Sequence, residues 1–245
     1  MKRFFVDLHL RINPLEIQTS EHMLSKVANL GYRQIGVSIG LQSSSEAFFV
    51  RLKESAAKIG LDLVSRIDFQ PKNEQDLTRF LRKFRRRFEV ICIQCTSKEV
   101  ARQAAKDRRV DLLSFPNFDY RKRFFDLAEA ELASNCLAAL EIDFRPLLFL
   151  VGPYRTRFLS TLRREVGIAL RYNVPIVLSS DVGEEKFLRS PRDSASLGFL
   201  FGLGEEESLD AVSVNPAGIV CRNREKLDSS FVAPGIKVIK EGGES

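Results

Sequence analysis

The sequence predicts an α/β fold: a (β/α)₈ TIM-like barrel in a single domain with a C-terminal extension. The 245 residues agree with the roughly 250 that one such barrel commonly fills. Eight short apolar runs alternate with longer segments of helical periodicity, and parallel strands need such crossover helices. No glycine-rich turn follows the first run, which disfavours an open, dinucleotide-binding sheet.

The predicted strands are short runs rich in β-branched and apolar residues, as is typical of buried parallel strands. They span residues 4–8, 34–38, 61–67, 89–93, 111–115, 137–143, 175–179 and 210–214. Polar residues such as Asp68, Asp143 and Asp181 lie at or just beyond the strand ends, where barrel enzymes place their chemistry.

The predicted helices carry apolar residues at three- and four-residue steps. The clearest stripe consists of Leu77, Phe80, Leu81, Phe84 and Phe88. Candidate N-cap residues are Ser43, Asn73, Ser97 and Ser190. Candidate glycine stops are Gly31, Gly60 and Gly202. These signals favour helices that alternate regularly with the strands.

The barrel is predicted to span residues 1–226 and the extension residues 227–245. The extension holds paired serines, a Pro-Gly pair at 234–235 and a Gly-Gly pair at 242–243. Segments of this composition order poorly unless they dock. We therefore expect the extension to be mobile when the chain is free.

The composition excludes several classes of protein. Apolar residues make up 44% of the chain, too many for a disordered protein. No apolar run reaches the length of about 18 residues that spans a membrane, and charges follow the first Met too closely for a signal peptide. We therefore expect a cytoplasmic protein without a membrane partner. The formal net charge of +6 favours a polyanionic partner.

A metal centre has weak support in the sequence. Asp7-Leu8-His9 resembles half of the Asp-x-His-x-His opening of polymerase and histidinol phosphatase (PHP) enzymes, but Arg11 stands where the second His would be. The chain has two His residues in all, whereas multi-metal sites of this class need several. Asp7 and His9 are thus vestigial candidates for metal ligands, and we expect the chain to bind no cofactor.

Other catalytic motifs are missing or incomplete. The Cys92-x-x-Cys95 spacing points the two thiols to opposite faces of a strand, so we expect both to be core residues. The chain has no phosphate-binding loop, no Gly-x-Ser-x-Gly motif and too few His residues for a Ser–His–Asp triad. The sequence therefore lacks the residues that an ordinary hydrolytic mechanism needs.

Basic clusters are the strongest functional signal in the residues themselves. Residues 79–88 hold six positive charges, and the interleaved Phe residues fall on the stripe that faces the sheet. Further clusters lie at 121–123, along 155–171 and at 189–192. Any one of these clusters taken alone is explained as the solvent-exposed face of a helix. Four clusters on a barrel without an evident active site favour a phosphate-rich partner, which Arg contacts through two parallel hydrogen bonds.

The order of motifs from Arg145 onward resembles the archaeal ribonuclease P protein component 3 family, whose members are about thirty kilodaltons. The motifs are Arg-Pro-Leu-Leu at 145–148, Pro-Tyr-Arg at 153–155, Ser-Ser at 179–180, Ser-Pro-Arg-Asp at 190–193 and Ser-Leu-Gly at 196–198. They cover about 55 residues, and the strand–helix count extends the resemblance over most of the chain.

The resemblance implies a barrel related to PHP enzymes that has lost its metal site. It implies a protein subunit of the ribonucleoprotein that removes the 5′ leader of precursor tRNA, with catalysis by the RNA subunit and Mg²⁺. The implied partners are that RNA, precursor tRNA, a small ferredoxin-like subunit and other ribonuclease P proteins. On this basis the chain is not expected to be catalytic alone.

The residues predicted to contact RNA or a partner come from both sources. Those carried over from the resemblance are Arg145, Arg155, Ser180, Arg192 and Asp193. Those predicted from charge alone are Arg82, Arg85, Arg86, Arg121, Lys122, Arg123 and Arg189. Two alternatives stay open: a metal-dependent PHP-type phosphoesterase with a depleted site, and a protein-interaction barrel that does not touch RNA.

Overall fold

The computed structural model describes residues 3–13, 16–41, 43–116, 118–233 and 236–237. In the described part, seven parallel strands pair in chain order, each with the next. They are β1 (Val6–Leu10), β2 (Gln34–Ser38), β3 (Asp62–Phe69), β4 (Val90–Gln94), β5 (Leu112–Ser114), β6 (Ala139–Asp143) and β7 (Ile176–Ser179). The TIM-like barrel is confirmed, and each of these seven strands was predicted to within a few residues.

Most of the helices connect successive strands on the outside of the sheet, and the last three follow β7. They are α1 (Ile17–Leu30), α2 (Ser43–Lys58), α3 (Glu74–Phe84), α4 (Lys98–Ala105), α5 (Leu127–Cys136), α6 (Arg145–Phe149), α7 (Gly152–Arg171), α8 (Pro191–Gly198), α9 (Glu205–Asp210) and α10 (Val214–Leu227). None of the described helices has the length and apolar character that crossing a bilayer requires.

The eighth predicted strand, at residues 210–214, is wrong. Its backbone N–H groups donate back into a helical turn: that of Ala211 reaches the Glu207 carbonyl (2.9 Å) and that of Val212 the Leu209 carbonyl (3.3 Å). The carbonyls of Ala211 and Val212 nevertheless accept from Leu178 and Val6, both at 2.9 Å. This turn therefore fills the gap between β7 and β1 toward the end of the barrel where the strands begin, which we call the lower end.

At the upper end, where the strands finish, β1 contacts the segment after β7 directly. Leu10 bridges to Val182, and the N–H of Asp181 donates to the His9 carbonyl at 2.8 Å. The sheet is thereby almost closed with seven strands. This contact brings the ends of β1 and β7, both rich in polar residues, side by side.

Two apolar clusters hold the barrel together. The larger lies between the sheet and the surrounding helices. The smaller fills the lower interior, and its members are Val6, Leu8, Val64, Val90, Cys92, Leu112, Ala139, Val177, Ile219 and Val220. Ile219 and Val220 come from α10, which closes the end where the strands begin. Cys92 lies in the inner cluster and Cys95 in the outer, which confirms both as core residues.

The predicted helix boundaries are confirmed where the described side chains test them. Asn73 accepts from the N–H of Asp76 at 2.9 Å, and Ser97 accepts from that of Val100 at 3.3 Å. Gly31 ends α1 with φ of 108°, in the left-handed region that favours glycine. The predicted cap at Ser43 lies outside the described side chains.

The helix α10 ends at Leu227, next to the predicted start of the extension. Beyond it, β8 (Phe231–Ala233) pairs antiparallel with β9 (Ile236–Lys237), and β8 contacts α10. The predicted mobility of the last residues, 238–245, lies outside the described residues. The division into barrel and extension stays a prediction.

Candidate functional site

A charged layer lies above the apolar interior, at the ends of the strands. At its centre is Arg66 of β3, which is fully buried. Its guanidinium donates to both carboxylate oxygens of Glu141 (2.5 and 2.6 Å), to Asp68 (2.6 and 3.0 Å) and to the Leu8 carbonyl (3.0 Å). All five N–H groups of Arg66 are thus engaged, as burial of a guanidinium requires.

His9, at the end of β1, lies among three carboxylates. Its Nδ1 is 3.0 Å from Asp143, and its Nε2 is 3.3 Å from Asp181 and 3.8 Å from Asp68. Burial and the charge of Arg66 lower the pKa of His9, but Asp143 and Asp68 outweigh them and raise it to about 9. His9 is therefore an imidazolium at neutral pH, with both ring nitrogens donating.

Asp7 and Ser180 are the supports of this layer. Asp7 Oδ1 accepts from the backbone N–H groups of His9 and Ser180, both at 3.0 Å. The Ser180 hydroxyl donates to the His9 carbonyl at 3.0 Å, and the side chain is buried. Ser180 therefore fixes the junction of β1 and β7 and presents no group to a partner.

Arg11 and Arg145 cover the layer from the solvent side. Arg11 Nε donates to Asp181, and the Arg145 guanidinium lies 3.9 Å from the same carboxylate. Arg145 also lies 5.4 Å from the ring centres of Phe118 and Phe149, both of which are exposed. Two guanidiniums and two aromatic rings thus cover this end of the barrel, which we call the mouth.

A metal ion does not suit this arrangement, although the residue types would allow one. Potential ligand atoms of His9, Glu141 and Asp143 lie within 4.8 Å of one another. Both oxygens of Glu141 already accept from Arg66, and Asp143 accepts from His9. A coordinating His must be neutral, whereas Asp143 and Asp68 raise the pKa of His9 to about 9. The cationic side chains therefore compete directly with any ion.

Sequence analysis missed Arg66 and Glu141, which form the centre of the layer. A signal was present, because each lies mid-strand at an inward-pointing position, two residues after Val64 and Ala139 respectively. A charge at such a position must be paired with an opposite charge. One Arg and one Glu at equivalent depths of two strands indicate that pair.

The cluster at 121–123 lies before a helix and does not open one. Tyr120–Lys122 is a single 3₁₀ turn, and α5 begins only after the Asp126 cap. Arg121 and Lys122 are exposed, and their predicted role as contacts stays a prediction.

Arg123 needs correction as a contact residue. It is buried, donates to Glu165 at 2.7 and 3.0 Å and to the Phe115 carbonyl at 3.3 Å, and lies between the rings of Phe115 and Phe158. A side chain enclosed in this way cannot reach a partner. Arg123 is a core residue.

The remaining predicted residues are spread over the surface. Arg82 and Arg86 are exposed, whereas Arg85 is mostly buried and donates to Asp111 at 2.6 Å. Arg155 is exposed and donates to the Leu150 carbonyl at 2.5 Å. The structure therefore does not gather the predicted cations around one pocket.

The start of α8 is built as predicted. Ser190 and Asp193 form a reciprocal capping box, with the Asp193 N–H donating to Ser190 Oγ at 3.2 Å. Arg192 is exposed at the wall of a cavity of about 800 Å³. Arg189 donates to the Lys186 and Leu188 carbonyls at 3.1 and 2.8 Å.

The sequence was compared with known families and proteins. The pattern of the family described as RNase P subunit p30 matches residues 4–228, which is nearly the whole barrel. This chain belongs to the ribonuclease P subunit p30 family.

Two relatives match this p30-family chain over nearly its whole length. It is 31% identical over 243 residues to ribonuclease P protein component 3 of Methanosarcina barkeri, with 98% of each chain covered. It is 30% identical to the protein of the same name from Methanosarcina mazei, with 96% of each covered. The resemblance seen in the motifs is confirmed.

Solved structures agree on the fold of this p30-family chain. A chain in the cryo-EM structure of an archaeal ribonuclease P with mature tRNA gives a TM-score of 0.81 at 24% identity, covering 96% of this chain and 100% of that one. A putative prolidase from Bifidobacterium longum gives 0.56 at 12% identity, covering 90% and 70%. At these identities the likeness shows the TIM-like fold alone.

Proposed function

We propose that this chain is a protein subunit of ribonuclease P that binds the catalytic RNA and helps it to fold. The RNA and Mg²⁺ would then remove the 5′ leader of precursor tRNA. The partners on this proposal are the RNA, precursor tRNA through the complex, a small ferredoxin-like subunit and other ribonuclease P proteins. We expect the particle to work in the cytoplasm.

The observation that carries the proposal is the charge pairing at the barrel mouth. Glu141 is bound by Arg66, Asp181 by Arg11, and Asp143 by His9. These carboxylates lie where barrel enzymes place their reactive groups, yet each is already neutralised by a side chain of the same chain. The chain is therefore suited to binding rather than to hydrolysis.

The alternative of a PHP-type phosphoesterase is not favoured. Its chemistry needs metal ions to activate water and to hold the phosphoryl oxygens. His22, the second His, lies on α1 with a 72% exposed side chain and pairs with Glu185 at 3.1 Å. It is thus a surface residue that adds nothing to the mouth.

The proposal is tested by reconstituting the particle with and without this chain. The catalytic RNA, the small ferredoxin-like subunit and Mg²⁺ are combined with labelled precursor tRNA, with and without this chain. We expect leader removal at low millimolar Mg²⁺ to depend on the chain, because it assists the folding of the RNA. Equal cleavage rates with and without the chain at every Mg²⁺ concentration would contradict the proposal.

A further inference from the structure

A basic cleft lies at the end of the barrel opposite the mouth. It forms where the turns after α3 and α4 meet the end of α10, and its volume is about 580 Å³. The cations that line it are Arg85, Arg86, Arg108, Arg109 and Lys226. Asp228 is the one carboxylate among its described lining residues, so positive charge dominates the cleft.

The five cations fall into two groups. Arg85 and Arg109 are held by Asp111 and Asp107, each at 2.6 Å. For the other three, no carboxylate oxygen of the described residues lies within 4 Å of a side-chain nitrogen. Those three are Arg86, Arg108 and Lys226, and all are exposed.

The crowding of like charges is visible at Lys226. Partial burial and the charges of Arg222, Arg85 and Arg108 together lower the pKa of this ammonium, and Asp111 only partly opposes them. A cleft of one sign of charge attracts and concentrates counter-ions. An anion bound there would relieve the repulsion that the chain itself leaves uncompensated.

The cleft is longer than a single anion requires. A second cavity of about 480 Å³ adjoins it and shares Arg108, Lys226 and Phe231 with it. Arg222, which pairs with Asp111 at 3.5 Å, and Glu225 also line this second cavity. Arg86, Arg108 and Lys226 thus lie along a continuous surface that suits a run of phosphates. Guanidinium forks match phosphate oxygens in geometry, which favours a nucleic acid backbone over scattered carboxylates of an acidic protein.

We propose that this basic cleft binds the sugar–phosphate backbone of RNA, with Arg86, Arg108 and Lys226 in contact with phosphates. The inference rests on the proposed function and assigns its RNA contact to the lower end of the barrel. The mouth lacks such an excess, because Arg11, Arg66 and His9 are all paired with carboxylates. Sequence analysis had singled out Arg86 but neither Arg108 nor Lys226.

The test compares two triple variants of the full chain for binding to the catalytic RNA across salt concentrations. The first is Arg86→Gln, Arg108→Gln and Lys226→Gln. The matched control is Arg51→Gln, Lys53→Gln and Lys58→Gln, three exposed cations of α2. Both variants lose three charges, so a general electrostatic effect changes them equally.

Each released phosphate contact removes roughly 0.7–0.9 from the slope of log affinity against log salt concentration. We expect the cleft variant to lose roughly 2–3 units of slope and the control to retain the parent value. The single variant Lys226→Gln, which changes an exposed side chain, should lose roughly one contact. Melting temperatures establish that all variants fold.

Three outcomes would overturn the inference. If the cleft variant keeps the parent slope and still supports leader removal, RNA binds elsewhere while the proposed function stands. If it keeps the slope but no longer binds the small protein subunit, the cleft docks an acidic protein. If the unmodified chain neither binds RNA nor stimulates leader removal, the proposed function fails, and the inference with it.

Discussion

At the scale of single residues, the mouth of the barrel is a set of charges that neutralise one another. Arg66 and His9 occupy the space between Glu141, Asp143 and Asp181. A buried carboxylate without such a partner would take up a proton. The cations therefore neutralise the charge of these acids, as a divalent ion does in a metalloenzyme, but they do not supply the chemistry of a metal ion.

The stability of the chain should depend on the protonation of His9. Its pKa is about 9 in the folded chain and about 6.5 unfolded. Because the folded value is the higher one, the contribution is complete below about pH 6.5 and is lost as the pH rises through about 9. The advantage of the parent over His9→Gln should fall by about 3 kcal/mol from pH 6 to 10, measured by urea unfolding.

Another group titrates within this range. Burial raises the pKa of Glu129 to about 7, but Glu129 is common to both proteins and cancels in the difference. A constant difference between parent and His9→Gln would show that the imidazole is neutral in the folded chain.

Ser190 and Arg192 should differ in what their loss affects. Ser190 caps α8, and Ser190→Ala should cost about 0.5–2 kcal/mol of stability. Arg192 is exposed in the first turn, where a cation is mildly unfavourable against the helix dipole. Arg192→Ala should leave the melting temperature nearly unchanged and weaken the assembled particle, as measured by gel shift.

The competing explanation for Arg192 is an internal ion pair with Asp181 or Glu184. Among the described residues, no carboxylate oxygen lies within 4 Å of its guanidinium; Asp181 pairs with Arg11 and Glu184 with Lys186. If Arg192→Ala lowers the melting temperature as much as Ser190→Ala and leaves assembly unchanged, Arg192 is a structural residue.

Local features of the site were predictable and distant pairs were not. The caps at Asn73, Ser97 and Ser190 depend on residues three positions away. Both partners of each cap can therefore be found in one short stretch of sequence. Glu141, the distant partner of Arg66, lies 75 residues away from it, and Glu165, the partner of Arg123, lies 42 residues away. Only the fold decides which of many acids each arginine meets.

At the scale of elements, the buried pair of Arg123 and Glu165 joins the 3₁₀ turn to α7. Arg123→Met would leave Glu165 buried and uncompensated, at a cost of about 3–5 kcal/mol in the free energy of unfolding. Replacing both residues by Met should restore most of the stability, because Met fits the apolar space beside Phe115 and Phe158. Denaturant unfolding of the three proteins measures this.

The contradicting result concerns RNA affinity. If Arg123→Met unfolds like the parent but binds the catalytic RNA more weakly, Arg123 is a contact residue after all, as its sequence neighbours Arg121 and Lys122 suggested.

The eighth strand illustrates what periodicity cannot decide. Residues 210–214 have the apolar character of a buried strand, and Ala211 and Val212 are indeed buried between β7 and β1. Their N–H groups are used within a turn that links α9 to α10. Burial was predicted correctly, and the hydrogen-bond direction, which only the neighbouring helices set, was not.

At the scale of the whole molecule, the two ends of the barrel differ in charge balance. The mouth pairs its cations with carboxylates, whereas the lower cleft leaves Arg86, Arg108 and Lys226 without such partners among the described residues. α10 covers the lower end through Asn223 and Arg224, which bond to the starts of β3 and β4. Among the described residues, the uncompensated positive charge of the barrel thus lies away from the mouth.

At the mouth, Arg66, Arg11 and His9 lie against the carboxylates that a metal ion would need, and we therefore expect the chain to bind no catalytic metal. The most direct measurement is the metal content of the purified chain, together with its turnover of a phosphodiester in added Mn²⁺ or Zn²⁺. We expect less than stoichiometric metal and no turnover that persists through repurification. Stoichiometric metal, with turnover that His9→Ala abolishes, would contradict it.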